Sequence, residues 1–415
     1  MKKALVFKPE YYDNFSCKSS SCRQTCCAGW AITLSKEEYR KIQNSIRDEE
    51  MFDTRTYFEK MPPSQRNSNS YMKIILDQDK NCLFLNQQKL CSLQCHFGEG
   101  ILPNTCSWFP RKLFENYGLI CATISPACEK VLEMLPTDRS LTFSVREDYI
   151  GNTFPKSIPI QQVYPKDIYP YATYFQDIYS MCILILQAQE TSLEDRMILL
   201  GIGLEKIIQV GVSGQWDAIP VCVENYLSCL SELEDISTLL PSFSPNLSAV
   251  FNNFLMADNE PEGITSSYQK VMEHVKNVLH ISYETDNTTL KVSAASFADY
   301  EKRKENFVRV MADRPYFMEN LLLSIFTYRN LPFSEDLMGG IWENYIYLCW
   351  IYSSLKFVLT VCSKDISSHD ELIALCTPLL RRWAHSSELT KNLIKEFKKN
   401  SSNTLAHMAV LLKSC

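Results

Sequence analysis

The chain has 415 residues, of which 46% are hydrophobic and 22% charged, so it can bury a large core divided over two or three domains. Glycine is scarce, at 12 residues, which disfavours nucleotide folds built on glycine-rich turns and favours a mainly helical chain. The net charge of −6 and the lack of a long basic run argue against nonspecific nucleic-acid binding.

The N-terminal segment MKKALVFKPEYYDNF has only a short apolar stretch. A signal peptide needs roughly 7–15 apolar residues and a spanning helix needs about 20. The most apolar stretch elsewhere, WENYIYLCWIYSSLKFVLTVC, carries charged and amide residues and predicts a buried helix. We therefore expect a cytoplasmic protein without a membrane partner, in which thiols stay reduced.

Cysteines are concentrated in the first third of the chain, where residues 1–128 hold ten of the 17. Four of them fall within eleven positions of the segment CKSSSCRQTCCAGW, residues 17–30. Disulfides, a metal site or a catalytic nucleophile could explain this density, and a reducing cytoplasm favours metal. The segment contains no C-x2-C pair and no ferredoxin spacing, so spacing alone leaves zinc and an iron–sulfur cluster open. The adjacent Cys26 and Cys27 could serve one centre or two.

Local signals after the cysteine loop predict a change of structure along the chain. Ser35 and Glu38 form a predicted capping box before a helix, and residues 71–125 suggest short strands that support the thiol loops. Five prolines without helical periodicity indicate a linker at 136–170. Apolar residues then recur at helical spacing, and Ser192 is the predicted N-cap of one helix. Further helices are predicted at 222–239, 264–281, 299–313, 316–330, 340–362, 369–382 and 387–413, with loops at 240–262 and 282–296.

The predicted fold class is therefore mainly α, with a few short strands near the N-terminus. We expect a cysteine-rich metal or iron–sulfur module at 1–135, the linker at 136–170 and a helical domain at 171–415. The later cysteines lie singly among apolar residues and are expected to be buried small hydrophobes: Cys182, Cys222, Cys229, Cys349, Cys362 and Cys376.

Several of these blocks resemble one known family. The pattern C-x4-C-x3-C-C-x2-W, followed by AITLSKEEY, resembles the opening of the flagellin lysine N-methylases. CLF with Cys91, the block CSWFPR and the block TISPACE are similar to the family's CPFL…LC, TCRTYPR and LSCPEAA blocks, the last with its cysteine displaced by about two places. Three later stretches resemble helical blocks of the same family: ILILQAQETSLEDRMILLGIGL, FMENLLLSIFTYRNLPF and LLRRWAHSSEL.

The resemblance implies a transferase that methylates lysine side chains of flagellin, with S-adenosylmethionine as the methyl donor. It also implies an iron–sulfur cluster of the [4Fe-4S] type, for which zinc is the alternative. Eight metal ligands are carried onto matching positions of this chain: Cys17, Cys22, Cys26, Cys27, Cys82, Cys91, Cys106 and Cys128. Cys95 and Cys121 have no counterpart in the family.

A few other residues are candidates for the site. Trp30 is expected to pack over the metal centre or to stack on the donor's adenine, and Arg111 to bind cluster sulfur or the donor carboxylate, although a surface salt bridge explains Arg111 equally well. His385 is a candidate base or ligand, unless it only complements a helix C-terminus, and His96 is a candidate extra ligand. No glycine-rich fingerprint marks the donor site, and no residue is identified as the general base.

Two other classes of function fit the same cysteines. The chain could be a zinc- or iron-chelating protein without catalytic activity, or an accessory factor that binds flagellin. Metal content without turnover would indicate the first, and complex formation without a mass change on flagellin would indicate the second.

Overall fold

The computed structural model describes residues 3–30, 32–47, 49, 52, 54–149, 160–162, 170–231, 250, 265–280, 282–283, 290–291, 294–334 and 340–415. The strands in these ranges are β1 Lys3–Pro9, β2 Thr33–Leu34, β3 Phe58–Lys60, β4 Met72–Ile74, β5 Arg111–Asn116, β6 Leu119–Ile124, β7 Phe143–Tyr149, β8 Ile160–Gln162, β9 Ser282–Tyr283 and β10 Leu290–Lys291.

Helices make up most of the described chain, which confirms the mainly helical fold. Five short or medium helices precede residue 135: α1 Lys36–Ile46, α2 Thr54–Tyr57, α3 Ser92–Phe97, α4 Asn104–Trp108 and α5 Glu129–Met134. The later helices are α6 Phe175–Gln187, α7 Leu193–Val212, α8 Ile219–Ser231, α9 Ser266–Val278, α10 Ala294–Ala312, α11 Phe317–Tyr328, α12 Ile341–Val361, α13 His369–Trp383, α14 Ser387–Lys399 and α15 Leu405–Lys413.

Five strands form one mixed sheet in the order β7-β1-β6-β5-β8. Strand β1 runs antiparallel to β7 and parallel to β6, and β5 and β6 form a hairpin. This hairpin turns at Tyr117 and Gly118, whose φ angles of 46° and 87° suit the two-residue turn of type I′. The fully buried strand β6 leads directly to the segment that carries Cys128 and α5.

The range 136–170, predicted as a linker, contributes β7 and β8 to this sheet. Its first residues are held by the buried Asn320 of α11, whose amide donates to the carbonyls of Pro136 and Arg139 at 2.8 Å each. The Asn320 side-chain oxygen accepts from the Leu141 N–H at 2.7 Å. Where it is described, the range is thus part of the sheet as well as a connection, because FSVREDY lacks helical periodicity but pairs with β1 along seven residues.

A smaller sheet in the order β2-β4-β3 lies beside the cysteine segments. The Ser35 Oγ accepts from the Glu38 N–H at 3.1 Å and the Glu38 carboxylate accepts from the Ser35 N–H at 2.7 Å, so the predicted capping box of α1 is confirmed. Apolar side chains between this sheet, α1 and α3 form what we call the N-terminal cluster: Ile32, Leu34, Ile42, Ile46, Phe52, Phe58, Met72, Ile74, Cys82, Phe84, Leu93 and Ile101.

The helical body surrounds α12, nearly all of which is buried. A helix that is apolar on every side belongs in the interior of a large core, as the sequence predicted for this segment. Helices α7, α11 and α13 and the five-stranded sheet share the same continuous apolar interior, which we call the main core. Within the described residues, no helix combines the length and apolarity that crossing a bilayer requires.

Several sequence predictions for the body can be compared directly. Ser192 caps α7 by accepting from the Asp195 N–H, as predicted. The single helix expected at 387–413 is wrong, because the chain breaks after Lys399, Ser401 has a φ of 53°, and Thr404 caps a new helix. Residues 282–296, expected as a loop, contain β9, β10 and the start of α10. Apart from Val250, the predicted loop at 240–262 lies outside the described residues.

The scattered cysteines mostly follow the prediction. Cys182, Cys349, Cys362 and Cys376 are buried in the main core. The predicted burial is wrong for Cys229, which is exposed on α8, and Cys222 is only half-buried.

Candidate metal centre

A cavity of about 420 Å³ lies where the small sheet, the loop at residues 15–30, α5 and α13 meet. All eight cysteines predicted as metal ligands line this one cavity: Cys17, Cys22, Cys26, Cys27, Cys82, Cys91, Cys106 and Cys128. They come from segments more than 100 positions apart, so the fold brings together thiols that the sequence shows only as separate groups.

The loop that carries Cys17 and Cys22 is anchored to α5 through Glu129. The buried Glu129 carboxylate accepts from Lys18 Nζ at 2.7 Å, from the Arg23 backbone N–H at 3.3 Å and from the Gln24 N–H at 3.0 Å. Burial raises the pKa of this carboxyl, but the hydrogen bonds from Lys18, Gln24 and Arg23 outweigh burial and lower it below its usual value. Glu129 is therefore a charged anchor, and it directly follows Cys128.

The same loop is anchored to α13 through Arg381. Its guanidinium donates to the Gln24 carbonyl at 2.6 Å, to the Thr25 carbonyl, and to the Ala127 carbonyl at 3.3 Å. Burial lowers the pKa of Arg381, and the neighbouring thiols of Cys26, Cys128 and Cys22 act in the opposite direction. One arginine thus ties together the two segments that carry cysteines and places a positive charge beside them.

The other side of the cavity is built on the small sheet. The Cys82 N–H donates to the Cys27 carbonyl at 2.8 Å, which joins the first cysteine segment to the second. Cys91 is the residue before α3, and Cys106 lies within α4. Three short elements therefore deliver these thiols from different directions.

Burial keeps most of these thiols protonated. It raises the pKa of Cys22 to about 11 and that of Cys82 to about 12, and it also raises the pKa of Cys91, Cys106 and Cys128. Cys26 and Cys27 behave as a pair: a hydrogen bond from the Cys26 thiol lowers the pKa of Cys27 to about 7. Since metal ions bind thiolates, a bound cation would have to displace these protons and compensate the buried charge.

The donor set suits a soft metal. Among the described residues, no three His, Cys, Asp or Glu side chains have the geometry of a site for one metal ion. Thiolates are soft ligands that bind both zinc and iron–sulfur clusters. Eight thiols line the cavity and the buried guanidinium of Arg381 lies beside them, so these residues fit an anionic, thiolate-bound group of either kind.

The candidate cofactor-binding residues also line the cavity. The Trp30 indole N–H donates to the Cys26 carbonyl at 2.6 Å, and its ring lies 5.4 Å from that of Phe109. Arg111 donates to the Phe15 carbonyl at 3.3 Å and lies 5.0 Å from the centre of the Phe15 ring. The roles predicted for Trp30 and Arg111 stay predictions.

Other candidates take different positions. The His385 Nε2 lies 2.9 Å from Ser125 Oγ, and its ring packs 5.8 Å from Trp30 in a small recess behind Cys26. Cys95 is exposed and His96 packs against Phe52, and neither lines the cavity. Cys121 is buried in the main core, where it accepts a hydrogen bond from Asn116.

Arg381 and Glu129 are the residues that sequence reasoning missed as parts of the site. The block LLRRWAHSSEL drew attention to His385, not to the arginine four positions earlier. Cys128 and Glu129 stand together in ACEK, and an acidic residue beside a cysteine ligand was the only local sign of the anchor.

The fold and cavity together define a mainly helical protein with a thiol-lined cavity between a small sheet and a helical body. Residues 179–411 match the family model described as the FliB lysine N-methylase C-terminal domain. Because this range is more than half of the chain, the chain belongs to the FliB lysine N-methylase family, as the sequence blocks predicted. The matched range contains α13 with Arg381, and the eight cysteines lie outside it.

Curated relatives agree with this family. The chain is 31% identical over 165 residues to the lysine-N-methylases of Salmonella choleraesuis and Salmonella typhimurium, an alignment covering 39% of this chain and 40% of each relative. It is 31% identical over 139 residues to the flagellar biosynthetic protein FliU of Salmonella muenchen, covering 33% of this chain and 80% of that protein. The chain thus spans about two fifths of the length of the two lysine-N-methylases. No solved structure matches the chain.

Proposed function

We propose that this chain is a cytoplasmic protein-lysine N-methyltransferase that modifies flagellin, takes its methyl group from S-adenosylmethionine and holds an iron–sulfur cluster in the thiol-lined cavity. Membership of the FliB lysine N-methylase family is the observation that carries the methyltransferase assignment. The relatives named lysine-N-methylase support the reaction, and the flagellar name of the third relative supports flagellin as the substrate.

Methyl transfer to lysine requires an uncharged amine, and a free lysine side chain has a pKa of about 10.4. Entry of the substrate side chain into an apolar site lowers its pKa and releases the proton to solvent. The nitrogen lone pair then attacks the methyl carbon, the bond between that carbon and the sulfonium sulfur breaks, and the sulfur leaves as a neutral thioether.

The cavity wall suits both reactants. Phe15, Trp30 and Phe109 contribute aromatic surface next to the thiols. Aromatic faces attract cations such as a sulfonium and also exclude water, so they would hold the donor and favour the neutral amine. Arg111 would pair with the carboxylate of the donor, since this residue lines the same cavity.

The iron–sulfur group would be held by thiolates drawn from the eight cavity cysteines, and Arg381 would offset its negative charge. When bound, such a group supplies iron coordination sites and electron-transfer capacity. Lys18, Arg23 and Glu129 keep the cysteine loop folded over the cavity, so the protein part of the site depends on these ion pairs.

The proposal is tested with anaerobically purified protein, flagellin and S-adenosylmethionine. Intact-mass and peptide mass spectrometry should show methyl groups added to flagellin lysines, and the sample should contain iron and sulfide. Cys106→Ala, inside the cavity, is the test variant, and Cys95→Ala, outside it, is the matched control. Absence of any mass change on flagellin, with metal present, would refute the enzyme assignment.

A second candidate is an accessory factor that binds flagellin without modifying it. The observation that favours it is the similarity to FliU, of whose length the chain covers 80% and whose name refers to flagellar biosynthesis alone. In the same experiment this candidate predicts co-elution with flagellin and an unchanged flagellin mass.

A further inference from the structure

Four of the eight thiols share the side of the cavity that faces the small sheet. Cys82 belongs to the N-terminal cluster, and Cys27, Cys91 and Cys106 pack against it. The hydrogen bond from the Cys82 N–H to the Cys27 carbonyl fixes two of these cysteines side by side. We call Cys27, Cys82, Cys91 and Cys106 the sheet-side quartet.

The other four thiols lie on the side that faces α5 and α13. Cys128 packs in the main core, and the loop with Cys17 and Cys22 is tied to the next residue, Glu129. Arg381 joins this loop to the Ala127 carbonyl, immediately before Cys128. The Ser19 N–H donates to Cys17 Sγ at 3.3 Å, a contact that also suits a thiolate. We call Cys17, Cys22, Cys26 and Cys128 the loop-side quartet.

Cys26 belongs to the loop side, because it lines a small recess together with Arg381 of α13. Across the division, Cys26 and Cys27 form a direct thiol hydrogen bond.

We propose that the cavity holds two metal centres, one bound by the loop-side quartet and the other by the sheet-side quartet, which adjoin at Cys26 and Cys27. This inference rests on the metal-binding part of the proposed function. One zinc ion or one [4Fe-4S] cluster accepts four cysteines, so a single centre would leave four cavity thiols without a metal. Eight thiols in two groups of four, anchored to different cores, supply two complete ligand sets.

The two sites have different surroundings. Arg381 and the buried carboxylate of Glu129 lie beside the loop-side quartet. The sheet-side quartet packs against the apolar N-terminal cluster. Charged side chains therefore surround one set of thiols, and apolar side chains surround the other.

The test counts metal in the full-length chain after anaerobic reconstitution with iron and sulfide. Wild type should bind about eight iron and eight sulfide per chain, as two [4Fe-4S] clusters. Cys22→Ala or Cys128→Ala should each lose half of this iron, and so should Cys82→Ala or Cys106→Ala. A double variant with one substitution from each quartet should lose nearly all of it, whereas Cys95→Ala, outside the cavity, should keep it all.

Spectroscopy of the same samples gives a second readout. Stepwise reduction of the wild type should produce two electron paramagnetic resonance signals that interact, because the quartets adjoin. Each quartet variant should show one signal without that interaction. Circular dichroism and thermal unfolding of every variant identify samples that lose metal only because they do not fold.

The outcomes separate this inference from the proposed function. Four iron per chain in the wild type, lost fully from variants of one quartet and kept by variants of the other, would overturn the two-centre inference and leave the cluster in place. Two zinc per chain that are lost one at a time would support the two quartets and overturn the iron–sulfur assignment. A chain that binds neither metal would overturn the two-centre inference and the metal-binding part of the proposed function.

Discussion

Arg381 donates a hydrogen bond to the Gln24 carbonyl at 2.6 Å and so connects residues that are 357 positions apart. The Gln24 side chain also binds α13, since its amide donates to the Ala374 carbonyl at 3.0 Å. The family match at 179–411 includes α13 but not the loop that it holds. The helical body is therefore part of the cysteine site through one of its last helices.

Arg381→Lys is expected to loosen the cysteine loop although it keeps the charge. A lysine cannot reach the three carbonyls that the guanidinium contacts, and hydrogen bonds to charged groups contribute about 1.5–3 kcal/mol each. We expect a loss of roughly 3 kcal/mol in the free energy of unfolding, measured by urea denaturation, together with a lower metal content. The matched control is Arg47→Lys, at an exposed arginine whose guanidinium donates to the Asn44 side-chain oxygen at 2.8 Å. Equal midpoints for the two variants would contradict the anchoring role.

Glu194→Gln tests a buried ion pair of the helical body. Burial raises the pKa of the Glu194 carboxyl, but Lys356, through its charge and a hydrogen bond, and Tyr352, at 2.5 Å, lower it below the usual value. A lowered pKa stabilises the folded state above the unfolded pKa of about 4.3, and this stabilisation disappears as the pH falls through the folded value. The variant should therefore be roughly 2 kcal/mol less stable at neutral pH and approach wild type in acid.

Unfolding measured between pH 7 and pH 3 checks this expectation, with Glu396→Gln on the exposed face of α14 as the control. The difference between wild type and Glu194→Gln should shrink towards low pH. A difference that stays constant would mean that the substitution acts through packing and not through the charge.

Gly201→Ala tests the close packing of α7 against α12. A Cβ at this position would lie 2.4 Å from the Tyr345 hydroxyl and 2.6 Å from a methyl carbon of Leu405. Tyr345 cannot move away freely because its hydroxyl donates to the Met197 carbonyl at 3.1 Å. Overpacking of this kind costs about 1–3 kcal/mol, whereas Gly100→Ala, with no atom within 4 Å, should change stability by less than about 0.5 kcal/mol. Thermal unfolding of both variants provides the comparison.

The parts of the fold that the sequence predicted are those with local signals. The capping residues Ser35 and Ser192 act within one turn of their own helix, and helical periodicity is likewise a local property. The break at Ser401 was missed because no glycine or proline marks it, only a polar run that a helix also tolerates. The pairing of β1 with β7 was missed because it joins residues about 140 positions apart.

For the site, too, the sequence predicted what depends on local signals and missed what depends on tertiary structure. Cysteine density alone indicated a metal site, the family resemblance implied which eight cysteines are its ligands, and all eight line one cavity. Their arrangement into two quartets depends on which core each segment packs against, and spacing carries no information about that. Arg381 was missed because an arginine in the last turn of a helix is ordinary, and only the tertiary structure places it on Gln24 and Ala127.

Substitution of Trp30 distinguishes two roles that the sequence left open. The first role is packing beside the metal centre, and the second is stacking on the donor's adenine. Stacking on an aromatic ring contributes about 1–3 kcal/mol, so under the second role Trp30→Ala lowers kcat/KM for S-adenosylmethionine about tenfold or more, while Trp30→Phe keeps most of it. Under the first role, Trp30→Ala loses metal, because the indole N–H holds the Cys26 carbonyl at 2.6 Å and the ring covers the recess with Phe109 and His385. We expect the result of the second role, with iron per chain unchanged and activity reduced. Steady-state kinetics and iron analysis on the same preparations decide between the two, and a fall in iron that parallels the fall in activity would assign Trp30 to the support of the metal site alone.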